Sequence, residues 1–193
     1  MKVAFGFKAH SGWAALVVLG WNDGELVVVD RRRVELVEDE WARQPYHAAE
    51  GLKPEAARDL VERGIEAAHR ITIRELRVVV KEARARKHSI AACAVLVGNP
   101  MPEWSVEEIL AVHFRMHQAE GVLFREALIN AAKKCDLKVV EAPEKTLSSY
   151  AEKALGTSAS ELSKRIAALG KLAGPPWGKD QKDAALAAMI ALR

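Results

Sequence analysis

Three closely spaced apolar runs near the start of the chain constrain the fold more than any other feature of the sequence. They cover residues 3–7, 13–21 and 25–37, they are rich in valine, and only short polar turns separate them. Runs of this kind are typical of strands that pair as antiparallel neighbours. The sequence therefore begins with a predicted three-stranded meander.

Two further strands are predicted later in the chain, each after a helical segment. A continuous apolar run begins at Ser89 and is closed by Gly98, and a shorter run covers 137–141. Strands joined through a helix add in parallel by right-handed crossovers. The order β-β-β-α-β-α-β-α-α predicts an α/β fold, a mixed five-stranded sheet with helices on both faces.

The helical segments have recognisable starts and stops. Pro54 suits a first turn, although Gly64 leaves open whether one long helix or a broken pair follows. Ser105 and Glu108 form a capping-box pattern at the start of a helix predicted to run to about residue 134. Two shorter helical segments each end at a glycine, and a last helix covers 180–193.

Composition places the chain among ordinary globular proteins. With 193 residues, half of them apolar and 28% charged, we expect one domain over residues 1–193. The net charge of +3 permits contact with phosphates without requiring it. No run has the length of a membrane span or resembles a signal peptide, so we expect a cytoplasmic protein with no membrane partner. Cys93 and Cys135 are predicted to be buried thiols, with a disulfide as the alternative.

The second half of the chain carries short motifs in a fixed order. They are Gln118-Ala119-Glu120-Gly121 in a helix, Pro143 and Lys145 after the last strand, Gly156 before the next helix, and Asp180-Gln181-Lys182-Asp183-Ala184 at the start of the final helix. Together with the order of strands, they resemble the ribonuclease H-like superfamily and, within it, the RuvC-type Holliday-junction resolvases. The resemblance covers most of the chain and implies a ribonuclease H-like fold, structured or branched DNA or RNA as a partner, and a homodimer.

The resemblance also implies phosphodiester hydrolysis assisted by two cations, Mg²⁺ or Mn²⁺, held by carboxylates. In this family the acids come from the end of the first strand, the end of the fourth strand and the start of the last helix. Asp180 and Asp183 match the last position, and Asp183 is the predicted metal ligand. The first position holds Lys8, and the fourth strand has no acid before Glu103. A lysine repels a metal ion or replaces it, so we expect an incomplete two-metal centre.

The turn that contains Lys8 suggests a second kind of site. Lys8, His10 and Ser11, with the amide of Gly12, would form a small anion site for a phosphate or a nucleotide. The ordinary explanation is a hairpin turn in which serine and glycine serve backbone geometry.

A histidine pair on the predicted second long helix allows three interpretations. His113 and His117 are four residues apart, and Glu120 follows three residues later. They would be polar residues at the edge of the core, metal ligands on one helix face, or acid–base groups facing the cleft. In a more specific hypothesis, Asp183, Glu120 and a histidine such as His117 hold one cation while Lys8 neutralises phosphate.

Basic residues occur in two groups. Arg84, Arg86 and Lys87 close the first long helix, and residues 31–33 form an arginine run on the third strand. Such cations are commonly solvated, and at a helix end they interact favourably with the helix dipole. Their functional interpretation is contact with a nucleic-acid backbone.

Three functions therefore follow from the sequence. The first is a divergent RuvC-like protein that binds nucleic acid, with nuclease activity reduced, altered or lost. The second is a phosphate- or nucleotide-binding relative that uses the turn from Lys8 to Ser11. The third is a non-catalytic interaction domain.

Overall fold

A single mixed sheet of five strands lies at the centre of the computed structural model, which describes residues 1–193. The strands are β1 (Lys2–His10), β2 (Trp13–Asn22), β3 (Glu25–Glu35), β4 (Ser89–Val97) and β5 (Val139–Pro143). Their order in the sheet is β3-β2-β1-β4-β5. The meander β1–β3 is antiparallel, whereas β4 pairs in parallel with β1 and with β5. The predicted α/β sheet is confirmed.

Seven α-helices surround the sheet. They are α1 (Pro45–Ala48), α2 (Pro54–Ala85), α3 (Val106–Leu110), α4 (His113–Lys134), α5 (Leu147–Leu155), α6 (Ala159–Ala173) and α7 (Lys179–Leu192). Two single 3₁₀ turns cover Glu40–Arg43 and Glu144–Thr146. None of these helices is long and apolar enough to cross a membrane.

Helix α2 runs unbroken for 32 residues, which settles the alternative left open at Gly64. A side chain at Gly64 would come within 2.5 Å of the Cβ atom of Pro45. The glycine therefore allows the short helix α1 to pack directly against α2, and this contact fixes the position of α1.

The helix predicted from Ser105 to about Lys134 is wrong in one respect, because the chain leaves helical geometry near Val112 and forms two helices, α3 and α4. The predicted capping box of Ser105 and Glu108 is present at the start of α3. Arg115 donates a hydrogen bond of 2.9 Å to the carbonyl oxygen of Glu108 and so satisfies an acceptor near the end of α3.

The two faces of the sheet have separate cores. In β1, Val3, Phe5 and Phe7 point to the face covered by α2 and α4. Ala4 lies on the opposite face, which is covered by α5, α6 and α7. Strand residues alternate between faces, so Gly6 and Lys8 share the face of Ala4. The predicted helices on both faces are confirmed, and both cysteines are free and buried, as predicted.

Gly6 controls how closely α7 approaches the sheet. A Cβ atom at this position would lie 1.9 Å from the carbonyl oxygen of Ala184 and 2.7 Å from the amide nitrogen of Ala188. The glycine thus lets the backbone of α7 rest on β1, and the many alanines of α7 keep its inner side thin. As a result, the first turn of α7 lies beside Lys8.

Candidate functional site: an acidic cluster around Lys8

The carboxyl ends of β1, β4 and β5 lie at one edge of the sheet, because these three strands are parallel. Lys8 is near the end of β1, and Glu144 follows β5 directly. The contact between Gly6 and α7 brings Asp180 and Asp183 to the same edge. Side chains from three distant parts of the chain therefore converge here.

The ammonium group of Lys8 lies among three carboxylates. Its Nζ atom is 2.8 Å from Oδ2 of Asp183, 3.3 Å from Oε1 of Glu144 and 3.4 Å from Oδ1 of Asp180. Only 6% of Lys8 is exposed, so its charge has little access to solvent. We call Lys8, Glu144, Asp180 and Asp183 the acidic cluster.

Further basic side chains surround the acidic cluster. Lys179 Nζ lies 2.5 Å from Oδ2 of Asp183, and Arg125 Nη2 lies 3.0 Å from Oε2 of Glu144. His10 Nε2 is 3.1 Å from Oδ2 of Asp180, while its ring stacks on Trp13 with 4.3 Å between the ring centroids. Each carboxylate of the cluster thus has a basic partner in addition to Lys8.

The charges within the cluster stabilise one another, as the directions of two pKa shifts indicate. Burial alone would lower the pKa of Lys8, but the hydrogen bond and negative charge of Asp183, together with Glu144, raise it above the ordinary value of 10.5. Burial likewise works to raise the pKa of Asp183, but hydrogen bonds from Lys179 and Lys8 lower it below 3.8. Both groups are therefore charged at neutral pH.

The residues present do not fit a pair of divalent cations. Mg²⁺ and Mn²⁺ require oxygen ligands, and the space between these carboxylate oxygens holds the Nζ atom of Lys8 instead. An ammonium group gives the carboxylates a positive partner but cannot bind water as a Lewis acid does.

Glu144 is a member of the cluster that the sequence interpretation missed. The resemblance places this acid at the end of β4, and the first acid after β4 is Glu103, which is exposed and makes no ion pair. Glu144 instead follows β5, which pairs in parallel with β4. Its position immediately after a parallel strand was the signal that could have identified it.

Of the residues expected in an anion site, Lys8 has carboxylate partners within the chain. Lys8 is neutralised by carboxylates, and a phosphate placed beside it would face the negative charges of Asp180 and Asp183. Ser11 lies exposed in the turn between β1 and β2. Lys8 is thus engaged as the counterion of Glu144, Asp180 and Asp183.

Glu120 and His117 lie in a different cluster. Glu120 is buried against His47 and Gln44, and His117 Nε2 lies 3.2 Å from Nε2 of His113. The structure does not bring either residue into contact with Asp183, whose polar partners are Lys8 and Lys179. The hypothesis of one cation shared by Asp183, Glu120 and a histidine therefore lacks the required juxtaposition.

Arg84, Arg86 and Lys87 lie at the opposite edge of the sheet from the acidic cluster. They precede Ser89, which starts β4 and pairs with Lys2 at the start of β1. All three are exposed. They are part of the local surface around the end of α2 and do not face Lys8.

Arg84 belongs to a larger exposed surface formed by α2 and the end of α4. Two adjoining grooves there share the side chains of Arg77, Lys81 and Lys134, and Arg70 and Arg84 line one groove each. We call these five residues the basic face. Arg74 also lines the first groove but is paired with Glu38 and Glu75, and Arg58 and Arg63 form ion pairs elsewhere on α2.

The arginine run on β3 is already engaged within the chain. Arg31 donates hydrogen bonds to carbonyl oxygens of the loop at 174–176. Arg32 pairs with Asp30 and Glu82, and Arg33 pairs with Glu35. These side chains have structural partners, in contrast to the basic face.

Comparison with known proteins identifies solved structures with a similar fold. No protein-family model matches the sequence, and no curated protein matches it. The chain has the ribonuclease H-like α/β fold of the RuvC Holliday-junction resolvases.

Two solved structures carry this likeness. One is the RuvC structure of Thermus thermophilus, with a TM-score of 0.51 and 14% sequence identity over 97% of this chain and 92% of that chain. The other is T. thermophilus RuvC in complex with Holliday junction substrate, with a TM-score of 0.52 and 12% identity over 98% of this chain and 92% of that chain. At these identities the likeness concerns the fold.

Proposed function

We propose that this chain binds branched DNA without hydrolysing it. The observation that carries the proposal is the ammonium group of Lys8, which lies between the three carboxylates at the edge of the sheet. In a fold shared with a protein solved on a Holliday junction, a lysine at this position replaces the cations that phosphodiester hydrolysis uses.

The permanence of the Lys8 charge supports the loss of hydrolysis. Its neighbours hold the pKa of Lys8 above 10.5, so the ammonium group persists throughout the physiological pH range. A divalent cation would have to displace this buried charge and leave it without a partner. Uncompensated buried charges are strongly unfavourable, and the resident ammonium group therefore excludes the metal.

The basic face supports binding to a nucleic-acid backbone. Its five lysine and arginine side chains line two adjoining grooves that contain only two acids, Glu66 and Asp136. Neutralisation of phosphates by lysine and arginine supplies most of the sequence-independent affinity for DNA. The grooves lie away from the acidic cluster, whose charged groups are already paired with one another.

The direct test measures binding and cleavage on the same substrate. A fluorescently labelled four-way DNA junction is titrated with the protein at low salt, and the complex is then incubated with Mg²⁺ or Mn²⁺. We expect saturable binding that is tighter than to a duplex of the same length, with no cleavage product. Cleavage by the wild-type protein would contradict the loss of hydrolysis, and equal affinity for junction and duplex would contradict the preference for branched DNA.

A substitution at Lys8 tests whether the ammonium group excludes the metal. Lys8→Asp places a fourth carboxylate in the cluster, so we expect Mn²⁺ to raise its melting temperature in a saturable manner. The wild-type protein should not respond. Lys179→Asp is the matched control, because it makes the same change in charge beside Asp183 but leaves Lys8 in place. A similar response of both variants would show that added negative charge alone attracts the metal, against the proposal.

A further inference from the structure

Three histidines from two helices form a compact group on the surface near the starts of α1 and α4. His47 belongs to α1, while His113 is the first residue of α4 and His117 lies one turn later. One ring nitrogen of each lies within 4.8 Å of the other two. His113 and His117 are exposed, whereas His47 is half-buried. We call these residues the histidine cluster.

Glu120 fixes the orientation of the His47 ring. The carboxylate is 2% exposed, and its two oxygens lie 2.8 and 2.9 Å from Nδ1 of His47. The backbone N–H of His47 and the side-chain amide of Gln44 also donate to it, at 3.2 and 3.4 Å. With Nδ1 held by Glu120, the other ring nitrogen of His47 is directed away from the carboxylate.

The free ring nitrogen of His47 lacks a partner within the chain. Its Nε2 atom is shielded from solvent and accepts or donates no hydrogen bond. The rings of His113 and His117 stand next to it, with centroids 5.1 and 4.5 Å from that of His47. A buried polar atom without a partner is unfavourable. A ligand from outside the chain would remove this cost by binding to the nitrogen.

The spacing of the His113 and His117 ring nitrogens suits a tetrahedral metal ion. Zinc–nitrogen bonds of about 2.0–2.1 Å at tetrahedral angles place ligand nitrogens about 3.3 Å apart. The Nε2 atoms of His113 and His117 are 3.2 Å apart. Histidines that bind metals usually donate their second ring N–H to a carboxylate, which is the arrangement of His47 with Glu120.

We propose that His47, His113 and His117 bind one zinc-class transition-metal ion, with Glu120 as the residue that positions His47. Imidazole nitrogen favours Zn²⁺, Ni²⁺ or Cu²⁺ over Mg²⁺. Three protein ligands leave a fourth position, and the exposure of His113 and His117 opens that position to solvent. The site is separate from the acidic cluster and does not depend on the proposed DNA binding.

Metal content provides the first test. Tag-free protein is stripped of metal with a chelator and titrated with Zn²⁺ in competition with a zinc-binding dye. The bound metal is measured by inductively coupled plasma mass spectrometry. We expect one Zn²⁺ per chain. His113→Gln and His117→Gln should each lose stoichiometric binding, and both side chains are exposed, so these variants should keep their far-ultraviolet circular dichroism. His69→Gln is the control, because His69 lies on α2 and pairs with Asn130.

The role of Glu120 is tested separately. Glu120→Gln should weaken Zn²⁺ binding by about 10- to 100-fold without abolishing it, as is typical for loss of a carboxylate that orients a ligating histidine. Substitution with Co²⁺ should give the intense visible absorption of a tetrahedral site in the wild-type protein. Absence of stoichiometric Zn²⁺, or equal binding by wild type and His117→Gln, would overturn the proposal, and neither outcome bears on junction binding.

Discussion

Lys8 and Lys179 contact the same oxygen of Asp183, so the contributions of the two lysines can be compared directly. Lys8 is buried, whereas 77% of the Lys179 side chain is exposed. We expect Lys8→Met to lower the free energy of unfolding by about 2–4 kcal/mol, since it leaves partly buried carboxylates without their counterion. Lys179→Met should cost less than about 1 kcal/mol. Urea denaturation measures both, and equal losses would contradict the role of Lys8 as the central counterion.

The same ion pair predicts a dependence of stability on pH. The pKa of Asp183 is lowered in the folded state, so its contribution is complete above the ordinary value of 3.8 and is lost as the pH falls through the folded value. The pKa of Lys8 is raised, so its contribution is complete below 10.5 and is lost only as the pH rises through the folded value. The stability difference between wild type and Lys8→Met should therefore be constant from about pH 5 to about pH 9. It should shrink at lower pH, where carboxylates such as Asp183 become protonated.

Helix α7 reaches the sheet only because Gly6 has no side chain. A methyl group there would overlap backbone atoms of Ala184 and Ala188, and backbone cannot move aside as a flexible side chain can. We expect Gly6→Ala to displace α7 and to lower the free energy of unfolding by more than about 3 kcal/mol, or to prevent folding. Loss of cooperative thermal unfolding would be the clearest sign.

Gly121→Ala is the matched control for this prediction. Gly121 lies inside α4, and the nearest atom to an added Cβ is the end of the Arg125 side chain at 4.0 Å. Removing the conformational freedom of glycine from a helix should raise the free energy of unfolding by up to about 1 kcal/mol. If both alanine variants were equally stable, the close approach of α7 to β1 would not be the controlling contact.

At the scale of the whole molecule, the basic face and the acidic cluster are distant from each other. The salt dependence of DNA binding tests whether the basic face is the surface that binds. The triple variant Arg77→Gln/Lys81→Gln/Arg84→Gln removes three charges from the basic face. It should weaken junction binding and reduce the slope of log K against log salt by roughly 2–3, because each phosphate contact contributes about 0.9. Fluorescence anisotropy at several salt concentrations gives the slope.

The control for the basic face removes the same charge elsewhere. Lys153→Gln/Lys164→Gln/Lys171→Gln acts on exposed lysines of α5 and α6, on the other side of the sheet. Its binding slope should stay close to that of the wild-type protein. An equal loss in both triple variants would mean that net charge, rather than the basic face, determines binding.

Much of the fold could be predicted from the sequence because its determinants are local. Valine-rich runs with short turns specify the meander, and helical spacing between apolar runs specifies the parallel strands. Lys8 at the end of the first strand and Asp180 and Asp183 in the last helix were expected at one site because of the resemblance to the RuvC-type resolvases. The break between α3 and α4 was missed, because both sides of Val112 continue a helical pattern.

The sequence by itself determined the sheet, its helices and a lysine in place of an expected acid. Only the tertiary structure decided what that lysine does, because its three carboxylate partners are distant in the chain. The two partners from α7 reach it through the contact of α7 with Gly6. The same holds for the histidine cluster, in which His47 and Glu120 are 73 residues apart. Local patterns fix hydrogen-bonded elements, whereas the environment of a side chain depends on which distant elements pack against it.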